Sequence, residues 1–136
     1  MRCPERYETE RLLLRRPAMS DAQRIFDAYA SDPAVGKYLA WPVHETVDDT
    51  LEFLTFADNQ WDTTAGGPYL VFTRDESLLL GSTGFDFESP ECASTGYVLA
   101  RQHWGKGFAT EALGAITEIA AQIGLHRLYA LCHPDH

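Results

Sequence analysis

A strand that runs into two glycines and then straight into a helix leaves few folds open to this chain. "STGYVLA" (Ser94 to Ala100) is rich in strand formers, and "RQHWGKGFATEAL" (Arg101 to Leu113) follows with Gly105 and Gly107 on either side of Lys106. Apolar residues at Ala109, Ala112, Leu113, Ile116, Ala120 and Ile123 then step at helical spacing until Gly124, which predicts a helix closed by a C-terminal glycine. A tight turn that feeds a helix leaves several backbone N–H groups unpaired, with the positive end of the helix dipole behind them. Gly105 and Gly107 lack a Cβ and let a bulky ligand approach, and Thr110 adds a hydroxyl in the first turn, so phosphate is the expected guest.

The rest of the chain sets that turn in an α+β domain. "ERLLLRR" (Glu10 to Arg16), closed by Pro17, predicts an opening strand. Ser20 with Gln23 forms a capping-box pattern before Ile25, Phe26 and Tyr29, which share one helix face until Asp32 and Pro33. Thr46 with Asp49 marks a second helix carrying Leu51, Leu54, Phe56, Ala57 and Trp61 into the "TTAGGP" break, and the irregular stretch "VGKYLAWPVHE" separates the two. "YLVFTR" and "LLLGSTGFDF" read as a hairpin, and "RLYALC" (Arg127 to Cys132) as the last strand. The order is β-α-α-β-β-β-α-β, with a mostly antiparallel sheet flanked by helices. A length of 136 residues with 45% hydrophobic content suits one domain, 1–136, with one core.

Charge narrows the partners. Eleven Lys and Arg against 20 Asp and Glu give a net charge of −9, which repels nucleic acid and anionic membrane and attracts amines or basic peptides. Three scattered cysteines, Cys3, Cys92 and Cys132, match neither a disulfide framework nor a zinc site. The N-terminus has no apolar run suited to a signal peptide or span, so a cytoplasmic location is expected. His133 and His136 in "CHPDH" have no further ligand nearby in sequence, and no metal is expected.

Two common nucleotide motifs fail here. A Walker A loop needs glycine at Ala100 and Ser or Thr at Gly107, and the dinucleotide fingerprint needs a third glycine at Thr110 in a parallel βαβ context. "GYVLARQHWGKGFATEAL" instead resembles the acyl-CoA motif of the GNAT N-acetyltransferases, and more narrowly the RimJ/RimL-type branch that acetylates ribosomal-protein N-termini; "ETERLLLRRPAMSDA" resembles the same branch. The family core Q/R-x-x-G-x-G/A fits from Gln102, matching Gly105 and Gly107, or from Trp104, matching Gly107 and Ala109; the second register puts the small residue at the helix start. The resemblance covers nearly the whole chain. It implies acetyl-CoA as co-substrate, with Trp104, Gly105, Lys106, Gly107, Phe108, Ala109 and Thr110 around the pyrophosphate, and Val98, Leu99 and Arg101 along the pantetheine arm.

Acetyl transfer to an amine needs a neutral amine, a polarised thioester and a proton for the departing thiolate. An α-amine with a pKa of about 8 needs only a weak base near neutral pH. Candidates for that base are Asp86 and Glu88, on one face of a regular strand, and Glu91 in the following loop. Solvated loop carboxylates are the ordinary alternative. Relatives of this branch often carry Glu two residues before the Gly-Tyr pair, where this chain has Ser94. Trp41 and Tyr69, with His44 and Trp61, fall in the part that forms the acceptor side in the family, core packing being the plainer reading of Trp61 and Tyr69. His103, at a strand end beside the turn, reads as a surface histidine.

Family chains normally continue past the last strand with a helix whose Tyr often serves as general acid, and then a further strand. Here the sequence stops at His136: either the chain is a truncated or differently bounded form, or these elements come from elsewhere, and the edge of "RLYALC" is expected to be covered by self-association, a homodimer through the C-terminal strand region. The reading is an acetyl-CoA-dependent N-acetyltransferase acting by direct attack of a protein N-terminal or small-molecule amine. The alternative is a non-catalytic acyl-CoA-binding module.

Overall fold

The computed structural model describes residues 2–36 and 43–130. Six strands form one sheet in the order β1-β2-β3-β4-β5-β6: β1 (Arg6–Glu8), β2 (Leu12–Arg15), β3 (Pro68–Thr73), β4 (Leu79–Ser89), β5 (Cys92–Leu99) and β6 (Arg127–Ala130). All neighbours are antiparallel except β5 and β6, which run parallel because α4 (Phe108–Gln122) carries the chain back between them. The expected α+β architecture and mixed, mostly antiparallel sheet are present.

Helices cover both sheet faces, and the Leu12-Leu13-Leu14 run is the local reason. Successive strand residues point to opposite faces, so three leucines in a row require apolar cover on each side. All three are fully buried. Leu12 and Leu14 pack with Val71, Leu80, Phe85 and Leu99 against Ala112, Ala115, Ile116 and Ile119 of α4. Leu13 packs with Leu70, Phe72, Leu79 and Val98 against Ile25, Tyr29 and Leu54, which come from the first helical stretch and from α3 (Val47–Thr63). Phe56 is 62% exposed and stands off the apolar face of α3 on which the sequence placed it.

The first helical region differs from expectation. It opens with a 3-10 turn at Met19–Asp21, continues as α1 (Ala22–Ile25), widens to π-helical spacing over Phe26–Ala30, and is followed by the short α2 (Pro33–Gly36). Ser20 caps nothing. Asp21 does the work instead, its carboxylate accepting from Ala18 N at 2.8 Å and from both Arg15 guanidinium nitrogens at 2.8 and 2.9 Å. The Thr46 capping box forms as expected, and Gly124 closes α4 with a positive φ.

Candidate functional site

The end of β5 leads into the glycine turn. Rungs between β5 and β6 run from Cys92↔Arg127 to Thr95↔Ala130, whereas β5 stays paired with β4 as far as Gly81↔Leu99. Thus Gly96–Leu99 extends beyond the last described rung on the β6 side. Val98 O faces β4, so close to Gly81 that a Cβ there would lie 1.9 Å from it, and Ala100 N donates to Leu80 O at 2.8 Å. By strand alternation the backbone groups of Leu99 face the other edge.

This parity corrects one expectation. The Val98 backbone is turned to β4 and its side chain is buried, so it offers nothing to an arm lying on the β6 side. Leu99 faces that side, where its carbonyl accepts from Trp104 Nε1 at 3.0 Å and its N–H has no acceptor among the described residues. The Arg101 side chain is paired with Asp32, its Nε 3.2 Å from Oδ2.

Beyond β5 the chain makes a 3-10 turn at Arg101–His103 and reaches α4 through Trp104 to Gly107. Gly105 and Gly107 have φ of +77° and +79°, a left-handed conformation that costs an L side chain about 1–2 kcal/mol. Gly107 is the N-cap of α4 and supplies no side-chain cap; the first helical bond is Glu111 N to Gly107 O at 3.1 Å. Among the described residues, the backbone N–H groups of Gly105 through Thr110 find no protein acceptor. Gly105, Lys106, Gly107 and Thr110 are exposed, Phe108 and Ala109 half-buried, and the Trp104 indole 44% exposed. The result is a bare, positively polarised helix end with exposed glycines on its rim.

His103 is buried beneath this turn, not on the surface as expected, with its ring edge-on to Phe108 at 6.3 Å. Burial, and then the charge of Lys106, hold its imidazole below the ordinary value, so it stands there neutral.

The three candidate carboxylates lie apart. Asp86 is opposite Ser94 in register, and Ser94 is opposite Tyr129 of β6, one step from the last β5–β6 rung. Its neighbours Phe85 and Phe87 pack on the α4 side, so Asp86 faces α3, where it accepts from Gln60 Nε2 at 3.2 Å. Glu88 accepts from the Tyr129 hydroxyl and lies 3.6 Å from Cys92 Sγ. Glu91 is exposed in the β4–β5 turn, where its backbone carbonyl accepts from His126 and Arg127 N. Glu88 and Glu91 are thus near the hairpin tip, about 20 Å of strand away from Leu99.

Tyr69 is not on a substrate surface. It is fully buried, its hydroxyl donates to Pro4 O at 2.5 Å, and its ring meets buried Trp61 edge-on at 5.1 Å, while Trp61 Nε1 donates to Pro68 O at 2.7 Å. Trp41 lies outside the described residues, as do Cys132, His133 and His136. On the α3 face of β4, a small, mainly apolar recess is lined by Ile25, Tyr29, Ala30, His44, Phe53 and Ser82. His44 Nδ1 lies 2.8 Å from Thr50 Oγ1.

Known proteins share the sequence pattern and the fold. The acetyltransferase (GNAT) domain family matches residues 11–136. The chain is 33% identical over 130 residues to YnaD of Bacillus subtilis (strain 168), an uncharacterised N-acetyltransferase, covering 94% of this chain and 73% of that one. It superposes on the crystal structure of a GNAT-family acetyltransferase from Bacillus anthracis with a TM-score of 0.82 at 27% identity, covering 96% and 75% of the two chains. RimL, a ribosomal L7/L12 alpha-N-protein acetyltransferase solved with coenzyme A, shares the fold with a TM-score of 0.83 at 21% identity, over 98% of this chain and 76% of that one. Among the described residues no helix is long and apolar enough to cross a membrane.

Proposed function

From the premise that this chain belongs to the GNAT acetyltransferase family, we propose that it transfers an acetyl group from acetyl-CoA to a primary amine, either a protein N-terminal α-amine or a small-molecule amine. One observation carries the reading: the α4 N-terminus leaves the N–H groups of Gly105 through Thr110 without acceptors among the described residues, just beyond the end of β5. Those donors suit a pyrophosphate, with Lys106 adding charge nearby. The arm then runs back along the β6 side of β5, taking the Leu99 N–H, and brings the thioester towards the level of Thr95.

The amine approaches from the α3 face. Its lone pair attacks the thioester carbonyl carbon, a C–N bond forms, the C–S bond breaks, and the thiolate takes up a proton to leave as CoA. Asp86 is the best placed of the three carboxylates to accept the ammonium proton, directly or through water, because its register position opposite Ser94 is the nearest to Leu99 and it faces α3. Positioning supplies much of the remaining rate. The net charge of −9 favours a cationic acceptor.

The test is calorimetric titration with acetyl-CoA and CoA, followed by thiol release against a panel of peptides and amines. Micromolar binding that is lost in Gly107→Val, together with amine-dependent release, is the expected result. In Asp86→Asn, kcat falls about 100-fold while the KM for acetyl-CoA holds; an unchanged kcat moves the base elsewhere. Binding without release assigns a non-catalytic acyl-CoA module. The proposal includes one domain over 1–136, a cytoplasmic location and self-association along β6, the last being read by light scattering on the purified chain.

A further inference from the structure

A side chain from the far end of the sequence reaches into the glycine turn. Arg11, just before β2, donates from Nε to Glu111 Oε1 at 2.6 Å and from its backbone N to Glu111 Oε2 at 2.9 Å. Its Nη1 donates to Lys106 O at 3.2 Å, and its guanidinium carbon lies 4.6 Å from the Phe108 ring centroid. Its Nη2 is 3.5 Å from where a Cβ on Gly107 would sit. One guanidinium therefore touches three positions in the turn and in the first turn of α4, and lies close beside a fourth, Gly107.

The peptide between Lys106 and Gly107 is planar and trans, so its C=O and N–H point in opposite directions. With the carbonyl drawn towards Arg11, the Gly107 N–H is aimed away from β2, out of the turn. Glu111, the only acid in the first turn of α4, would repel an anion if its carboxylate swung over the helix end. Thr9 Oγ1 at 2.5 Å and the two Arg11 donors hold it to the side. Burial acts against ionisation there, but these bonds keep the Glu111 carboxyl below its ordinary range and Arg11 neutralises it.

We propose that Arg11 is a positioning residue for the acyl-CoA phosphates, orienting the Lys106–Gly107 peptide and holding Glu111 away from the anion, without itself being the main phosphate contact. The inference rests on the acyl-CoA reading. Lysine in its place keeps the charge but lacks the planar fork that spans Glu111 and the Lys106 carbonyl together.

The experiment titrates wild type and Arg11→Lys with acetyl-CoA and with S-acetylpantetheine, which carries thioester and arm but no phosphate, while following the Gly107 amide resonance. Expected are a loss of about 10-fold for acetyl-CoA in Arg11→Lys, little change for S-acetylpantetheine, and a shifted Gly107 amide in the free protein. Unchanged acetyl-CoA affinity, or equal weakening of both ligands, overturns the inference and leaves the acyl-CoA reading standing. Failure of the wild type to bind acetyl-CoA overturns the reading itself. If Arg11→Lys does not fold, Thr9→Val removes one Glu111 donor; acetyl-CoA then weakens by about 2-fold with S-acetylpantetheine unchanged, and equal weakening again overturns the inference.

Discussion

The two long helices begin in opposite ways. At α3, Asp49 N donates to Thr46 Oγ1 at 3.4 Å, and the Asp49 carboxylate accepts from Thr46 N at 3.3 Å and Glu45 N at 2.9 Å. Asp48 adds further negative charge. At α4 the cap is a left-handed glycine, there is no side-chain cap, and the one acid in the first turn is held aside by Arg11 and Thr9. A helix end that serves only the fold is satisfied from within the chain. One left bare at an exposed turn is available to a ligand, and leaving it bare forgoes about 1 kcal/mol that a side-chain cap would contribute.

Making α4 begin as α3 does breaks the contrast most strongly. Gly107→Asp puts a carboxylate where phosphate is proposed to sit, in a conformation that Asp tolerates better than most residues. Acetyl-CoA affinity is expected to fall roughly 100-fold by calorimetry, about 2.7 kcal/mol, while the melting temperature of the free protein holds. A melting temperature that drops together with affinity would show that the glycine serves the fold alone.

The converse change acts on stability and spares the ligand. Thr46→Ala removes the α3 cap and is expected to lower stability by about 1 kcal/mol, a shift of roughly 3–5 °C in melting temperature, with acetyl-CoA affinity unchanged. Acid gives a smaller effect. His103 has a folded-state value below its ordinary 6.5, so the unfolded chain takes up the proton first and stability is lost as pH falls below about 6.5. A melting temperature lower at pH 5.5 than at 7.5, with the difference reduced in His103→Gln, is the expected observation. Asp21 and Glu111, both held low, add a steeper loss below about pH 4.

What could be read from the sequence was what neighbours in sequence determine. The Leu12–Leu14 run announced a strand, Thr46 and Asp49 the α3 cap, and Gly105 and Gly107 marked the turn. β1 was missed because "RYE" has no apolar run; it is held by pairing to Leu13–Arg15 and by Arg6 with Glu8 and Glu76. Ser20 mimicked a cap, yet Arg15 fixes Asp21 in the role. The direction of the Val98 backbone depends on pairing with β4, which is irregular on its β3 side between Val71 and Phe72 and so carries no simple parity in sequence. Tyr69 and Trp61 could be core or pocket wall, with core the plainer reading, because large aromatics serve core and cleft alike; the Pro4 and Pro68 carbonyls that satisfy their polar tips are visible only in three dimensions. Arg11 stands 100 residues from Glu111, and no local pattern links them.

That separation also bears on folding. Closing a loop of that length costs about 2 kcal/mol more entropy than closing one of 10 residues, so contacts between Arg11 and α4 are late to form, after the β4–β5 hairpin and α4 itself. Pulse-labelled hydrogen exchange should accordingly protect the β4–β5 amides before those of Arg11 and Leu12. A ligand at the proposed phosphate site, which depends on this late contact, binds only a chain whose fold is nearly complete, and it therefore stabilises the whole molecule at once rather than any partly folded form.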